Sequence, residues 1–294
     1  MGDGERDNLL ARAEALLERF EGLFTHANGP EGPDFAAHAA FRYHAHNGRG
    51  TFEPVRHVDP TRPEDLVGVE RQWDAFDRNT RQLLRRLPSN HVLLWGARGT
   101  GKSSMVKAAL NRYAPEGLRL VEIRRSGLLD LAAIVDRLAD ASFAFLVLLD
   151  DLSFEEHDPL ARELKALLEG GVQEMPRNVR VVATANRRHL MPKRQGDNAW
   201  ADDDDLHIRD AAEEKASLAD RFGLRLGFPV PSQDWYLDVV DLLAARHGLS
   251  EHNEEIRRDA LAWSRSHGLS GRSSRQFMDD WAGSQMLETY PRPA

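Results

Sequence analysis

The sequence predicts an α/β fold in which a parallel β-sheet is flanked by helices and followed by a small helical domain. Three observations carry that expectation. Short apolar runs of buried-strand length alternate with helical patterns from Leu66 to Phe228. A glycine-rich turn joins the first of these runs to a helix. Beyond Pro229 and Pro231 the pattern is helical to the end.

Taken in order, residues Asn8 to Phe24 place Leu9, Leu10, Ala13, Leu16, Leu17, Phe20, Leu23 and Phe24 at three- and four-residue spacing, an amphipathic helix whose apolar stripe needs a partner. Residues 25–64 are rich in Gly, Pro and His and read as loop or linker, with one short helix around Asp34 to Tyr43. The first sixty residues are therefore expected to be an appendage. A helix over Glu70 to Arg86 then leads through Pro88-Ser89-Asn90 to a strand at His91 to Trp95. Further strands are expected at Arg119 to Ile123, Phe143 to Leu149, Val179 to Ala183 and Leu224 to Phe228, with helices at Leu128 to Leu138 and Asp158 to Leu168 between them. Helices near Gln233 to His247, Glu254 to His267 and Gly271 to Thr289 close the chain. The expected partition is an N-terminal helix and linker over 1–64, an α/β domain over 65–230 and a helical lid over 231–294.

Composition sets the outer bounds. With 294 residues, 41% of them hydrophobic and 29% charged, the chain is long enough for a large and a small domain and too apolar for disorder. Cysteine is absent, which excludes disulfides, thiolate metal sites and cysteine nucleophiles. No run of about 18 apolar residues occurs and the N-terminus is acidic and polar, so neither a membrane span nor a signal peptide is expected and the chain reads as cytoplasmic. A net charge of −8 argues against nonspecific duplex binding by the whole surface.

Gly96-Ala97-Arg98-Gly99-Thr100-Gly101-Lys102-Ser103 fits the phosphate-loop pattern G-x-x-x-x-G-K-[ST], and it lies between an expected strand and an expected helix. The spacing follows from the chemistry. Glycines let the backbone wrap phosphates with its N–H groups inward, and the following helix N-terminus adds positive potential. Lys102 would reach the terminal phosphates and Ser103 would ligand Mg²⁺. The candidate nucleotide-holding set is thus Gly96, Ala97, Arg98, Gly99, Thr100, Gly101, Lys102, Ser103 and Ser104.

About fifty residues on, Phe145-Leu146-Val147-Leu148-Leu149-Asp150-Asp151 is an apolar strand ending in two acids. Such an end places carboxylates beside the metal at the C-terminal edge of a parallel sheet and supplies the second half of an ATP site. Asp150 is the candidate Mg²⁺ holder and Asp151 the residue that polarises the attacking water. Alone, Asp-Asp after a strand is equally a turn signal.

From here the chain resembles the AAA+ ATPases, and within them a bacterial family of predicted ATPases with an uncharacterised-domain label. The likeness runs from about Leu66 to Trp281. It rests on Gly99-Thr100-Gly101-Lys102-Ser103-Ser104, Asp150-Asp151-Leu152-Ser153-Phe154-Glu155, Leu164-Lys165-Ala166-Leu167-Leu168-Glu169-Gly170, Asn186-Arg187-Arg188-His189-Leu190 and Ser217-Leu218-Ala219-Asp220-Arg221-Phe222-Gly223-Leu224. The resemblance implies ATP with Mg²⁺ as the bound species and a homo-oligomer as the working form. It implies that Asn186, at a strand end, is the polar sensor that places the water, with Thr184 a competitor for that role and helix capping the alternative. It likewise implies that Arg221 is an arginine finger reaching a neighbouring subunit's phosphate, against the alternative of a surface ion pair. Arg272, in Gly268-Leu269-Ser270-Gly271-Arg272, matches the lid arginine that senses nucleotide, with Arg275 one turn on, and Leu66-Val67-Gly68 matches the segment packed on adenine. One departure stands out: many members carry glutamate where this chain has Asp151, so turnover could be slow or assisted by Glu155.

Other features are weaker. His38, His44 and His46 lack the carboxylates or cysteines of a metal set. Arg124-Arg125 and Arg187-Arg188 read as solvated or ion-paired surface, and Asp202 to Asp205 as a solvated loop. Arg124-Arg125-Ser126-Gly127-Leu128 stands where a protein-threading machine would carry an aromatic-apolar-glycine loop, which disfavours an unfoldase. The expected function is an ATP-hydrolysing machine acting on an unidentified protein or DNA-linked client. The alternative is a nucleotide-gated scaffold with little turnover.

Overall fold

The structure, a computed structural model, describes residues 32–45, 50–153, 158–169, 174–186, 217–249 and 252–289. The expected helix over 8–24, His46, Glu155, Arg187, Arg188 and the acidic run 202–205 lie outside them.

Seven strands form one sheet: β1 (Ala40–His44), β2 (Thr51–Pro54), β3 (Val92–Gly96), β4 (Leu118–Ile123), β5 (Ala144–Leu152), β6 (Val179–Asn186) and β7 (Leu224–Gly227). Their spatial order is β2-β1-β4-β5-β6-β3-β7, and every neighbouring pair is parallel except β1 with β2. The helices are α1 (Glu70–Leu84), α2 (Lys102–Tyr113), α3 (Leu131–Ala139), α4 (Pro159–Glu169), α5 (Gln233–Arg246), α6 (Glu254–His267) and α7 (Gly271–Thr289). The central strands are buried on both faces, which is why they read as continuous apolar runs rather than alternating ones. One apolar layer packs α3, α4 and the β1–β2 hairpin on the sheet, and the other packs α1 and α2.

β3 lies between β6 and β7, so the chain leaving it must cross β6 and β5 to reach β4. The crossovers leaving the neighbouring strands β3 and β6 thus run in opposite directions across the sheet. The crevice beyond the C-terminal end of β3 is where such sheets take ligands.

Residues 25–64, expected as linker with a helix over 34–43, are corrected here: 40–54 contribute two strands. Phe41, Tyr43 and Phe52 are buried while Arg42 is exposed, so the segment follows a strand's two-residue period. The surrounding Gly, Pro and His masked a pattern only five residues long. Arg119 donates to the Phe35 carbonyl and lies 4.1 Å from the Phe143 ring, which ties the approach to β1 onto the sheet.

The lid is built from α5, α6 and α7 around its own core of Tyr236, Leu237, Val240, Ile256, Phe277 and Met278. Ser232 caps α5 by accepting from the Trp235 N–H, and Asn253 caps α6. No helix among the described residues is long and apolar enough to cross a membrane.

Candidate functional site

The loop after β3 curls back on itself before α2. Gly96 has φ 150° and Gly99 has φ 71°. A Cβ at Gly96 would stand 2.8 Å from the Phe228 carbonyl oxygen, and one at Gly99 would stand 2.7 Å from Ser270 Cβ. Side chains are excluded at both positions by space as well as by backbone conformation. Thr100 Oγ1 donates to the Ala97 carbonyl at 2.9 Å and braces the turn. Lys102 opens α2 and is 8% exposed, its Nζ donating to the Gly96 and Ala97 carbonyls at 3.1 and 2.6 Å. Burial lowers its ammonium below the ordinary lysine value, against the opposing pull of Asp150 and Asp151.

The acids are placed by a bulge. β5 and β6 stay in register at Leu149↔Ala183 and resume at Leu152↔Ala185, so Asp150 and Asp151 together oppose Thr184. The extra residue is Asp151, whose φ of 55° is left-handed and uncommon outside glycine. Its N–H, displaced from the ladder, donates to Thr184 Oγ1 at 2.8 Å, while that hydroxyl donates to Asp150 Oδ1 at 2.6 Å. Ser103 Oγ donates to the same Asp150 oxygen at 2.6 Å. Asn186 Nδ2 donates to Asp151 Oδ1 at 2.8 Å, and Arg98 approaches Asp151 Oδ2 at 3.6 Å. The loop, the acidic strand end and Asn186 therefore meet, although they are far apart in sequence.

A cavity of about 420 Å³ opens between the loop, the segment 59–69 and the lid. Gly99 to Ser104 and Asp150 line its end at the loop, and Leu66, Val67, Val69, Trp235, Val239 and Leu243 form an apolar portion. Trp235 Nε1 donates to the Val67 carbonyl at 2.8 Å, and the ring leaves no room for a side chain at Gly68. Arg272 and Arg275 both line the cavity, and Arg275 lies 3.8 Å from Asp59. The Gly271 N–H donates to the Gly99 carbonyl at 2.8 Å, so the start of α7 sits directly on the loop.

The donor set suits Mg²⁺ accompanied by phosphate. A serine hydroxyl and a carboxylate, both hard oxygen donors, converge at the loop's end, and Mg²⁺ commonly takes one or two protein oxygens beside those of a phosphate. Among the described residues no cluster of three His, Asp or Glu side chains could hold a metal alone. His44 pairs with Glu53 at 2.7 Å on the hairpin, and His38 meets the edge of Phe41.

Arg221 is remote from the cavity lining and pairs with Glu169 at 2.5 Å within its own chain. Arg125 donates to the Ser153 carbonyl and pairs with Asp158, while Gly127 and Leu128 are buried, so the segment after β4 is packed rather than free. Two further contributors left no direct sign in the residue pattern. One is Thr184 as the joint support of both acids. The other is Asp59, which accepts from Thr61 and Lys107 and joins the cavity rim to α2. Thr184 and Asn186, two apart on one strand, share a face, which was the available clue.

No curated protein matches the chain in sequence. Among solved structures, Aeropyrum pernix Orc1 in complex with DNA is similar with TM-score 0.52 and 15% identity, over 77% of this chain and 62% of that one. Hsp104 is similar with TM-score 0.48 and 16% identity, over 76% of this chain and 38% of that one. The Thermotoga maritima RuvB branch migration motor is similar with TM-score 0.41 and 12% identity, over 76% and 72%. At such identities the Orc1 likeness shows the fold alone. The family described as "Protein of unknown function (DUF815)" matches residues 36–285, which includes the β1–β2 hairpin. The chain therefore belongs to the DUF815 family, and its fold is that of the AAA+ P-loop ATPases.

Proposed function

We propose that the chain binds ATP with Mg²⁺ and hydrolyses it, works as a homo-oligomer, and couples turnover to remodelling of a protein or DNA-linked partner. The observation that carries this reading is the convergence of Ser103 and Asp150 at 2.6 Å, with Asp151 and Asn186 alongside, at the mouth of a glycine-wrapped loop. Loop N–H groups and Lys102 hold the phosphates. Ser103 and Asp150 hold Mg²⁺, which when bound neutralises charge on the phosphate oxygens. Asp151 accepts a proton from the attacking water as its oxygen bonds to the terminal phosphorus and ADP leaves, and Asn186 fixes the carboxylate's orientation. Leu66 to Val69 and Trp235 pack the base, Arg272 reads the nucleotide from the lid, and Arg221 completes a neighbour's site after release from Glu169.

A second reading, a nucleotide-gated scaffold, is favoured by the state of Asp151. It is a short acid, and Asn186 and Arg98 already engage its two oxygens.

Steady-state ATPase against protein concentration tests both. Lys102→Ala should abolish nucleotide binding, and Asp151→Asn should bind ATP without turning it over. Turnover per subunit should rise with concentration and lose that rise in Arg221→Ala. Wild-type rates in Asp151→Asn would remove Asp151 as the base. Tight ATP binding with negligible hydrolysis at every concentration would establish the scaffold. A low-salt DNA titration tests the nucleic-acid branch.

A further inference from the structure

We propose that Arg98 distinguishes a nucleoside triphosphate from a diphosphate by exchanging partners: its guanidinium rests on the Asp151 carboxylate and transfers to the terminal phosphate when a triphosphate binds. This rests on the phosphate-binding reading of the loop.

Arg98 stands at the third position of the loop, between Gly96 and Gly99, on the same curl of backbone that carries the Lys102 ammonium. Its side chain is 76% exposed and that of Asp151 is 62% exposed, and they approach to 3.6 Å. A pair so exposed and so long contributes little and is screened by salt, so it yields readily to a stronger anion. A terminal phosphate is such an anion. It carries more charge than a carboxylate and offers oxygens that a planar guanidinium can engage with two parallel N–H donors. The charge of Arg98 already reaches Lys102, which it pushes in the same direction as burial does, so both cations address one region of the loop. A diphosphate lacks the terminal group and leaves Arg98 where it is.

The exchange also changes Asp151. Asn186 donates to Oδ1, and the Arg98 guanidinium stands 3.6 Å from Oδ2, so each oxygen faces its own neighbour. Transfer of Arg98 to phosphate takes the cation away from Oδ2, so the carboxylate gains basicity toward water when the triphosphate arrives. The loop would then act as a detector of the terminal phosphate as well as a grip on it.

The test is calorimetric binding of ADP and of a β,γ-imido triphosphate, each with Mg²⁺, to the full chain. Arg98→Ala should weaken the triphosphate about tenfold or more and ADP less than about twofold, ADP reporting that the loop is still folded. Arg98→Lys, which keeps the charge but not the fork, should fall between wild type and Arg98→Ala in discrimination. Asp151→Asn should tighten the triphosphate relative to ADP, and by less when Arg98 is already alanine, because the competitor it removes has nothing left to hold. Equal weakening of both nucleotides in Arg98→Ala, or the same tightening by Asp151→Asn in both backgrounds, overturns the exchange and leaves the nucleotide reading intact. If wild type binds neither nucleotide while remaining folded, the nucleotide reading fails and takes this inference with it.

Discussion

Thr184 shows how much of the site hangs on one hydroxyl. It is 2% exposed, accepts from the Asp151 N–H and donates to Asp150 Oδ1. Thr184→Val keeps the shape and removes both bonds, leaving a displaced backbone N–H without its acceptor at about 1–3 kcal/mol. We expect denaturant unfolding to register that loss and kcat to fall about tenfold with a smaller change in KM, because the variant misplaces the acids while leaving intact the loop proposed to hold nucleotide. Thr184→Ser should restore most of both quantities. A valine variant as stable and active as wild type would mean that the bulge holds the acids without the hydroxyl. The individual groups differ in how far the sequence exposed them. Lys102 and Ser103 were legible because the phosphate-loop spacing admits few other uses. The shared role of Thr184 was not, because it depends on an extra residue in β5, and a one-residue offset between paired strands leaves no mark in either strand alone.

At the scale of elements, the sheet beneath the site is pinned at the start of β3 by His91. Its Nδ1 accepts the Val181 N–H at 3.0 Å and its carbonyl accepts the Leu224 N–H at 3.2 Å, so one residue joins β3, β6 and β7. Burial, reinforced by the charge of Arg180, pulls its imidazole from 6.5 down to about 4. Between those values the unfolded chain carries the proton and the folded chain does not. Stability attributable to His91 is therefore complete above pH 6.5 and is lost as pH falls toward 4, by about 1–3 kcal/mol. Protonation at Nδ1 would also cost the Val181 bond. Thermal unfolding from pH 7 to 4.5 should show this decline, and His91→Gln, which cannot titrate, should show a shallower one. Asp59 does not confuse the window. Burial raises its carboxyl, but hydrogen bonds from Thr61 and Lys107 outweigh that and bring it down to about 2, so its contribution is lost only at lower pH. Equal slopes in the two proteins would remove His91 as the cause. β3 and β6 were legible in sequence because each is an almost wholly buried, mainly apolar run. The hairpin was not, because β1 and the edge strand β2 are short and their two-residue alternation competes with nearby glycine, proline and histidine.

For the whole molecule, the decisive relation is between the lid and the segment 59–67, since both wall the cavity proposed to hold nucleotide. Four ties hold the lid to that segment and to the glycine-rich loop: Trp235 to Val67, Gly271 to Gly99, Arg275 to Asp59 and Arg246 to Asp65. The first two are hydrogen bonds to backbone carbonyls and tolerate salt. The other two are ion pairs, and of these the Arg246 pair is the tighter, with the Asp65 side chain 12% exposed. Its removal can be isolated, because the other Asp65 oxygen accepts the Arg62 N–H at 2.6 Å and an asparagine retains an acceptor for that bond. Losing a partly buried pair worth roughly 1 kcal/mol loosens the lid without altering the loop or the acids, so it should act on departure rather than arrival. Asp65→Asn is thus expected to speed release of a fluorescent ADP by about fivefold in stopped flow, with association changed less than about twofold. Added salt should accelerate release in wild type and less so in the variant, since its main screened contact across the boundary is already gone. Unchanged release, or a change confined to association, would show that the lid is held by the two backbone hydrogen bonds and that the charges at its edge are incidental to nucleotide retention.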